Sequence, residues 1–380
     1  MLLPLLQRMI LLATVLAMIT GCAPVDPDSV KPPAPSPGGR VLVVANERSP
    51  DGIAVAEYYM RARDVPATNL IMVDVTTDDE IGDIDFRLNV LAPVRRAIER
   101  IPQRIDFILL TTGVPLRILN NRGYSVDAHL AGRHLAIPPM VGLDTSWLRR
   151  YRNPYYNATE PFNSDKFVMY LVTRLDCAER DDCIALVDRS LAAQPVRGPF
   201  YFDAMRERPG GTDGYGIMDA KLHAAHQRLT AIGAYSILEN TRRFAAPRMP
   251  VAGYMSWGSN DNAFDADAYG RVQFLPGALA ETFVSTSART FKPTTGGQSR
   301  IVDLIEQGVT GVKGYVGEPY TIALADPTIL FDRYVRGFTL AEAFYASSRM
   351  VLWKDVVIGD PLCAPYSQFT VSAPGSSRGR

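Results

Sequence analysis

The sequence predicts an α/β domain with a mostly parallel central sheet and helices on both faces. Short, continuous apolar runs recur along the chain, as strands covered on both sides require. They alternate with segments whose apolar residues fall at helical spacing. Gly and Pro punctuate nearly every transition, and strand–helix alternation at this spacing is the pattern of a parallel sheet.

The first strand is Val41-Leu42-Val43-Val44-Ala45, followed by a helix over 51–63 with Ile53, Ala56 and Met60 inward. Leu70-Ile71-Met72-Val73-Asp74-Val75 is the second strand, and Val90, Val94, Ile98 and Ile101 mark the second helix. Asp106-Phe107-Ile108-Leu109-Leu110-Thr111 is the third strand. Residues 113–165 then break the rhythm with Gly, Pro, Asn, aromatic residues and two histidines, His129 and His134. A long insertion leaving a strand end is often functional. Order resumes with the strand 167–172, a helix over 182–193 and the strand 199–203. Next come a helix over 219–232 and strands at 235–238, 251–255 and 282–285. A helix over 299–307, a strand at 311–316, a helix over 339–349 and the run 356–360 close the domain.

Composition bounds the partners. Lys plus Arg equals Asp plus Glu at 40 each, so no basic excess points to nucleic acid. No cofactor motif stands out, and no metal is expected. Cys177 and Cys183 flank a short polar stretch. In an oxidising periplasm they read as a disulfide closing a small loop, with no second Cys or His pair nearby at zinc-ligand spacing. Cys363 reads as a small buried residue. The match of Asn157-Ala158-Thr159 to a glycosylation acceptor is a chance one in the setting the leader implies.

The amino terminus supplies a location. An apolar run from Leu2, with Arg8 near its start, ends in Met18-Ile19-Thr20-Gly21-Cys22. Pro4 and Gln7 interrupt it and it is short for a membrane span. The run resembles a bacterial lipoprotein signal. That resemblance implies cleavage after residue 21, acylation of Cys22, and, with Ala23 rather than Asp next, sorting to the outer membrane on its periplasmic side. Residues 22–39, rich in Pro, read as an extended tether, 40–366 as the domain, and 367–380 as a disordered tail.

Ligands of an open parallel sheet bind beyond the carboxyl ends of its strands. That rule selects Asn46, Thr112 and Gly113, the loop Ser256-Trp257-Gly258-Ser259-Asn260-Asp261, Ser285 through Arg289 with Ser287, and Gly317 with Glu318. In this reading Trp257 stacks on a ligand, Asn260 and Asp261 hydrogen-bond to it, and Glu318 supplies charge. Ser256 misses the nucleophile-elbow pattern, since Gly253 lies three residues before it. Asp219, His223 and His226 share a helix, but their steps differ from the two-histidine zincin motif.

Several segments resemble gingipain-type cysteine peptidases, relatives of the caspase-like fold: Val172-Thr173-Arg174-Leu175-Asp176, Val251 through Ser259, Ile301 through Gly317, Leu340-Ala341-Glu342-Ala343 and Ile358-Gly359-Asp360-Pro361. The resemblance implies a caspase-like fold, flavodoxin-like in its alternation. It also implies a catalytic imidazole after one strand and a thiolate after the next. Here Trp257-Gly258 stands where His-Gly would, and Ser285-Thr286-Ser287 holds no cysteine. Gly253 through Asp261 and Gly308 through Tyr320 are also similar to a bacterial lipoprotein family of exosortase-bearing genomes. The expectation is a lipid-anchored binding or accessory protein of the envelope, linked to exosortase-type sorting or surface polysaccharide, with an envelope peptide or glycan as ligand. The rival is a serine hydrolase drawing a base from His129 or His134.

Overall fold

The computed structural model describes residues 36–119, 123–132, 151–205 and 213–367. Cys22, the tether as far as residue 35, His134 and the tail from residue 368 lie outside the described residues. Within the expected tether, Ser36 caps the turn Pro37–Arg40, and Gly38 and Gly39 are buried. Among the described residues no helix is long and apolar enough to cross a membrane.

A ten-stranded sheet organises the chain in the order β2-β1-β4-β7-β13-β12-β11-β10-β8-β9. Its first part contains β1 (Val41–Asn46), β2 (Leu70–Val73), β4 (Phe107–Thr111) and β7 (Leu171–Leu175), all parallel. The second contains β8 (Phe200–Asp203), β9 (Ser236–Glu239), β10 (Val251–Ser256), β11 (Phe274–Thr282) and β12 (Gly311–Tyr315), also parallel. The last strand, β13 (Asp355–Ile358), runs antiparallel to β12 and meets β7 in parallel through one pair, Ile358 with Arg174. Each part winds outward and back from its first strand, the order a doubly wound sheet requires. A small sheet of β3 (Glu80–Ile81), β5 (Arg117–Ile118) and β6 (Tyr124–Ser125) lies in and beside the insertion.

Helices cover the sheet as predicted, with bounds set by local chemistry. In α1 (Pro50–Ala62), Ser49 accepts the Gly52 N–H and Pro50 opens the first turn; both are strong start signals. Its buried face is Val55, Ala56 and Tyr59, turned from the expected Ile53 and Met60 because the Tyr59 hydroxyl reaches Asp360 at 3.0 Å. Val90 lies in a wide turn, Phe86–Leu91, that leads into α2 (Ala92–Arg100). In the insertion, Ser125 caps α3 (Val126–Ala131). The segment expected as a strand over 167–172 begins with the short helix Ser164–Phe167, and Val168 at φ 54° delays β7 to residue 171. Then α4 (Arg180–Leu191) and α5 (Gly214–Ala231) follow β7 and β8.

The largest departure is β11, expected at 282–285 and found at Phe274–Thr282. Pro276-Gly277 reads as a break, but the register between β10 and β11 jumps from Val251–Phe274 to Gly253–Leu279. The surplus residues form a bulge that admits both. A second departure is α7 (Pro327–Val335), which follows α6 (Ile301–Glu306) and packs on α5 and α8 (Leu340–Ser347). Its Phe331 ring lies where a Cβ on Gly253 would be, 2.5 Å away, so glycine lets this helix close on the sheet.

The insertion is held by Arg174, which is fully buried. Its guanidinium donates to both oxygens of Asp127 in α3, at 3.0 and 3.1 Å through Nε, and to Asp176 at 2.8 Å. It also donates to the carbonyls of Val114 and Pro115, at 3.0 and 3.1 Å. Replacing it strands two buried carboxylates. Arg174→Ala is expected to cost about 3–5 kcal/mol in urea unfolding; a loss under about 1 kcal/mol would show that the network organises nothing.

Candidate functional site

The carboxyl ends of β8, β10, β11 and β12 form one rim, and the loops after β10 and β11 are cross-tied there. Gly258 takes φ 51°, and a Cβ on it would lie 2.8 Å from Val284; only glycine lets the two loops approach so closely. The Ser259 hydroxyl accepts the Ser299 N–H at 2.9 Å, and the Ser299 hydroxyl accepts the Ser259 N–H at 3.2 Å. Asn260 Nδ2 donates to the Phe283 carbonyl at 2.6 Å, while Gln298 Nε2 donates to Asn260 Oδ1 at 2.9 Å. Thr286 donates to Gln298 at 2.8 Å.

Trp257 is not an exposed platform. It is 1 % exposed, stacked on Tyr215 with ring centres 4.9 Å apart and edge-on to Phe283 at 5.0 Å. Its indole N–H donates to Asp219 Oδ1 at 3.3 Å. The expected stacking role is therefore corrected. The polar neighbours that suggested an exposed turn bond to one another, while the ring fills the space under α5. Ser259 and Asn260 likewise spend their side chains on loop-to-loop bonds, and Asp261 Oδ1 accepts the Ala263 N–H at 2.7 Å.

Two carboxylates beneath this rim escape a reading by motif. Asp203 ends β8 and is 2 % exposed, and its Oδ2 has no hydrogen-bond partner among the described residues. Burial, then the charges of Asp261, Glu239 and Asp219, push its carboxyl up to about 8. Asp219 is also raised by burial, against donors from Met205 N–H and Trp257; His223 lies 3.9 Å from it. The rule of strand carboxyl ends would have reached Asp203 had it been applied to β8. Its missing partner is a tertiary fact with no local signature.

No nucleophile is activated at the rim among the described residues. Ser287 is buried and its hydroxyl accepts the Tyr315 N–H at 3.2 Å. Ser256 is buried and accepts the Gly258 N–H at 3.2 Å. His129, a proposed base, is 2 % exposed. It packs between Tyr124 and Phe86, and burial holds its imidazole down at about 4. His226 Nδ1 does meet a hydroxyl, Ser236 Oγ at 3.0 Å, but Ser236 begins β9, at the end of the strand away from the rim. The described residues hold no group of three metal-ligating side chains, so Asp219, His223 and His226 do not assemble as one.

The remaining candidates lie apart. Thr112 and Gly113 follow β4 and line a separate cavity of about 250 Å³ with Ser49, Asp176 and Cys177. Glu318 is exposed; its carboxylate accepts the Tyr320 N–H and its carbonyl the Lys354 ammonium, both at 2.9 Å. Cys177 and Cys183 are free buried thiols in hydrogen-bond contact, not the expected disulfide. Burial pushes both thiols up, which keeps them protonated and poor at exchange. Cys363 is buried as expected, its thiol pushed up to about 11 by burial.

Two outcomes follow from the buried groups. Trp257→Ala is expected to destabilise the fold by about 3–5 kcal/mol in denaturant unfolding, where a ligand platform exposed to water would cost almost nothing. Asp203 keeps its proton to about pH 8 in the fold but releases it near its ordinary 3.8 when unfolded. The native state thus binds more protons in that window, and this stabilisation is full below 3.8 and lost as pH rises to 8. Asp203→Asn should therefore match the parent in acid and melt above it at pH 8, by about 2–4 kcal/mol. A variant no more stable than the parent at pH 8 would place Asp203 in a solvated site.

No protein-family model matches the chain, and no curated protein does. Its fold is shared with solved structures. One is the complex of the pro- and mature domains of RgpB from Porphyromonas gingivalis, at 12 % identity and TM-score 0.52, covering 86 % of this chain and 80 % of that one. Another is the Arg-specific cysteine proteinase gingipain R (RgpB), at 12 % identity and TM-score 0.52, covering 86 % and 78 %. The chain therefore has the caspase-like α/β scaffold of these peptidases.

Proposed function

We propose that this protein is a binding protein on a peptidase-like scaffold, held at the cell envelope through a lipid on Cys22, and that its rim receives a cationic group of an extended envelope peptide. The observation that carries the reading is Asp203, a buried carboxyl with one oxygen unpartnered, next to Asp219 and Asp261. A buried acid near neutral charge gains most from a cation that replaces its proton. The similar structure of an Arg-specific proteinase supports the choice of cation. The pairing of Trp257 with Asp219 supports binding without turnover, since an indole donates a hydrogen bond and cannot accept a proton. A link to exosortase-type protein sorting or surface polysaccharide belongs to the same proposal, as its setting. The serine-hydrolase reading gains no support from Ser256 or Ser287, whose hydroxyls are engaged.

The test is titration calorimetry of the full-length chain with an arginine-bearing peptide and its norleucine counterpart. The arginine peptide alone is expected to bind, about tenfold more tightly for each pH unit gained below 8, with loss of that pH dependence in Asp203→Asn. Equal binding of both peptides sinks the proposal. So does hydrolysis of either, or fluorophosphonate labelling lost on a single Ser→Ala change.

A further inference from the structure

A second cavity lies at the other end of β10. It has a volume of about 920 Å³ and is formed by the segment entering β10 and the segment entering β11. Phe244 and Val272, both buried, give it an apolar wall. Arg248 and Arg271 line it from the two segments, and both are exposed. Neither has an ionic partner among the described residues. The carboxylate in the lining, Asp265, caps the short helix Ala266–Tyr269, where its Oδ1 accepts the Ala268 N–H at 3.0 Å. Gln307, from the end of α6, completes the lining, and its Oε1 is buried without a hydrogen-bond partner.

The two arginines and the apolar wall point to a ligand of one kind. Two unpaired guanidiniums facing one cavity from separate segments favour a planar or tetrahedral anion over water. The apolar wall fits a body with a hydrophobic face. The volume lies within the range of small-molecule sites.

We propose that this cavity is a binding site for a carboxylate- or phosphate-bearing ligand with an apolar face, a sugar acid or sugar phosphate being the chemical class. Arg248 and Arg271 hold the anion, and Phe244 and Val272 carry the body. The site is independent of the acidic rim: one strand, β10, carries the two at opposite ends.

The experiment is calorimetry on the full-length chain with trigalacturonate, inorganic pyrophosphate and neutral maltotriose, and co-sedimentation with phosphatidylglycerol vesicles. Binding of trigalacturonate or pyrophosphate, absence of maltotriose binding, and at least a tenfold weaker affinity in the Arg248→Ala/Arg271→Ala variant are the expected results. Trigalacturonate alone identifies a carboxylate site, and pyrophosphate alone a phosphate site. Both arginines are exposed, so an unchanged melting temperature separates lost binding from lost folding. No anion binding at millimolar concentration overturns the proposal, as does binding the arginine variant retains, or binding to vesicles without binding to either soluble anion.

Discussion

Arg174 is the residue on which the two parts of this molecule depend. Its backbone forms the one ladder pair between β7 and β13, with its carbonyl accepting the Gly359 N–H at 2.9 Å. Its side chain gathers Asp127, Asp176 and the carbonyls after β4. A guanidinium removed from water is tolerated only when its donors are met, and here they reach the segment leaving β4, helix α3 and the end of β7. The insertion is thus folded by a charge the sheet core cannot otherwise accept. Asp360 makes a parallel closure at the far end of β13. There it takes bonds from Tyr59, Arg63 and Ser190, so that α1 and α4 are tied to the last strand.

The strands were legible in the sequence wherever burial on both faces demanded unbroken apolar residues. Val41 through Asn46 and Phe107 through Thr111 are buried throughout, and the order of strands and helices followed. What stayed hidden depended on partners distant in the chain. Pro276-Gly277 breaks a strand in isolation and sits in a bulge when β10 lies beside it. Trp257 looked exposed because its neighbours are Asn, Asp and Ser; the ring that covers it, Tyr215, belongs to α5. Asp203 is an ordinary strand end until Asp261, Glu239 and Asp219 gather around it. The loops after β10 and β11 meet through Asn260 and the Phe283 carbonyl.

Trp257 also limits the chemistry its loop can offer. An imidazole at that position would exchange protons and carry charge. An indole exchanges none, packs more area, and offers one donor, which Asp219 takes. The tie between Ser259 and Ser299 holds the loops after β10 and β11 together. At this rim Asp203 Oδ2 stays without a hydrogen-bond partner among the described residues.

Among the described residues, a sheet ten strands wide leaves two of them, β2 and β9, with an unpaired side. Each is four residues long. So brief a stretch of open ladder is a poor template for another chain, and β9 ends in the charge of Glu239. Joining two windings into one continuous layer has removed the borders each would have shown alone, which guards against fibre-like association in a protein with no net charge to keep its copies apart.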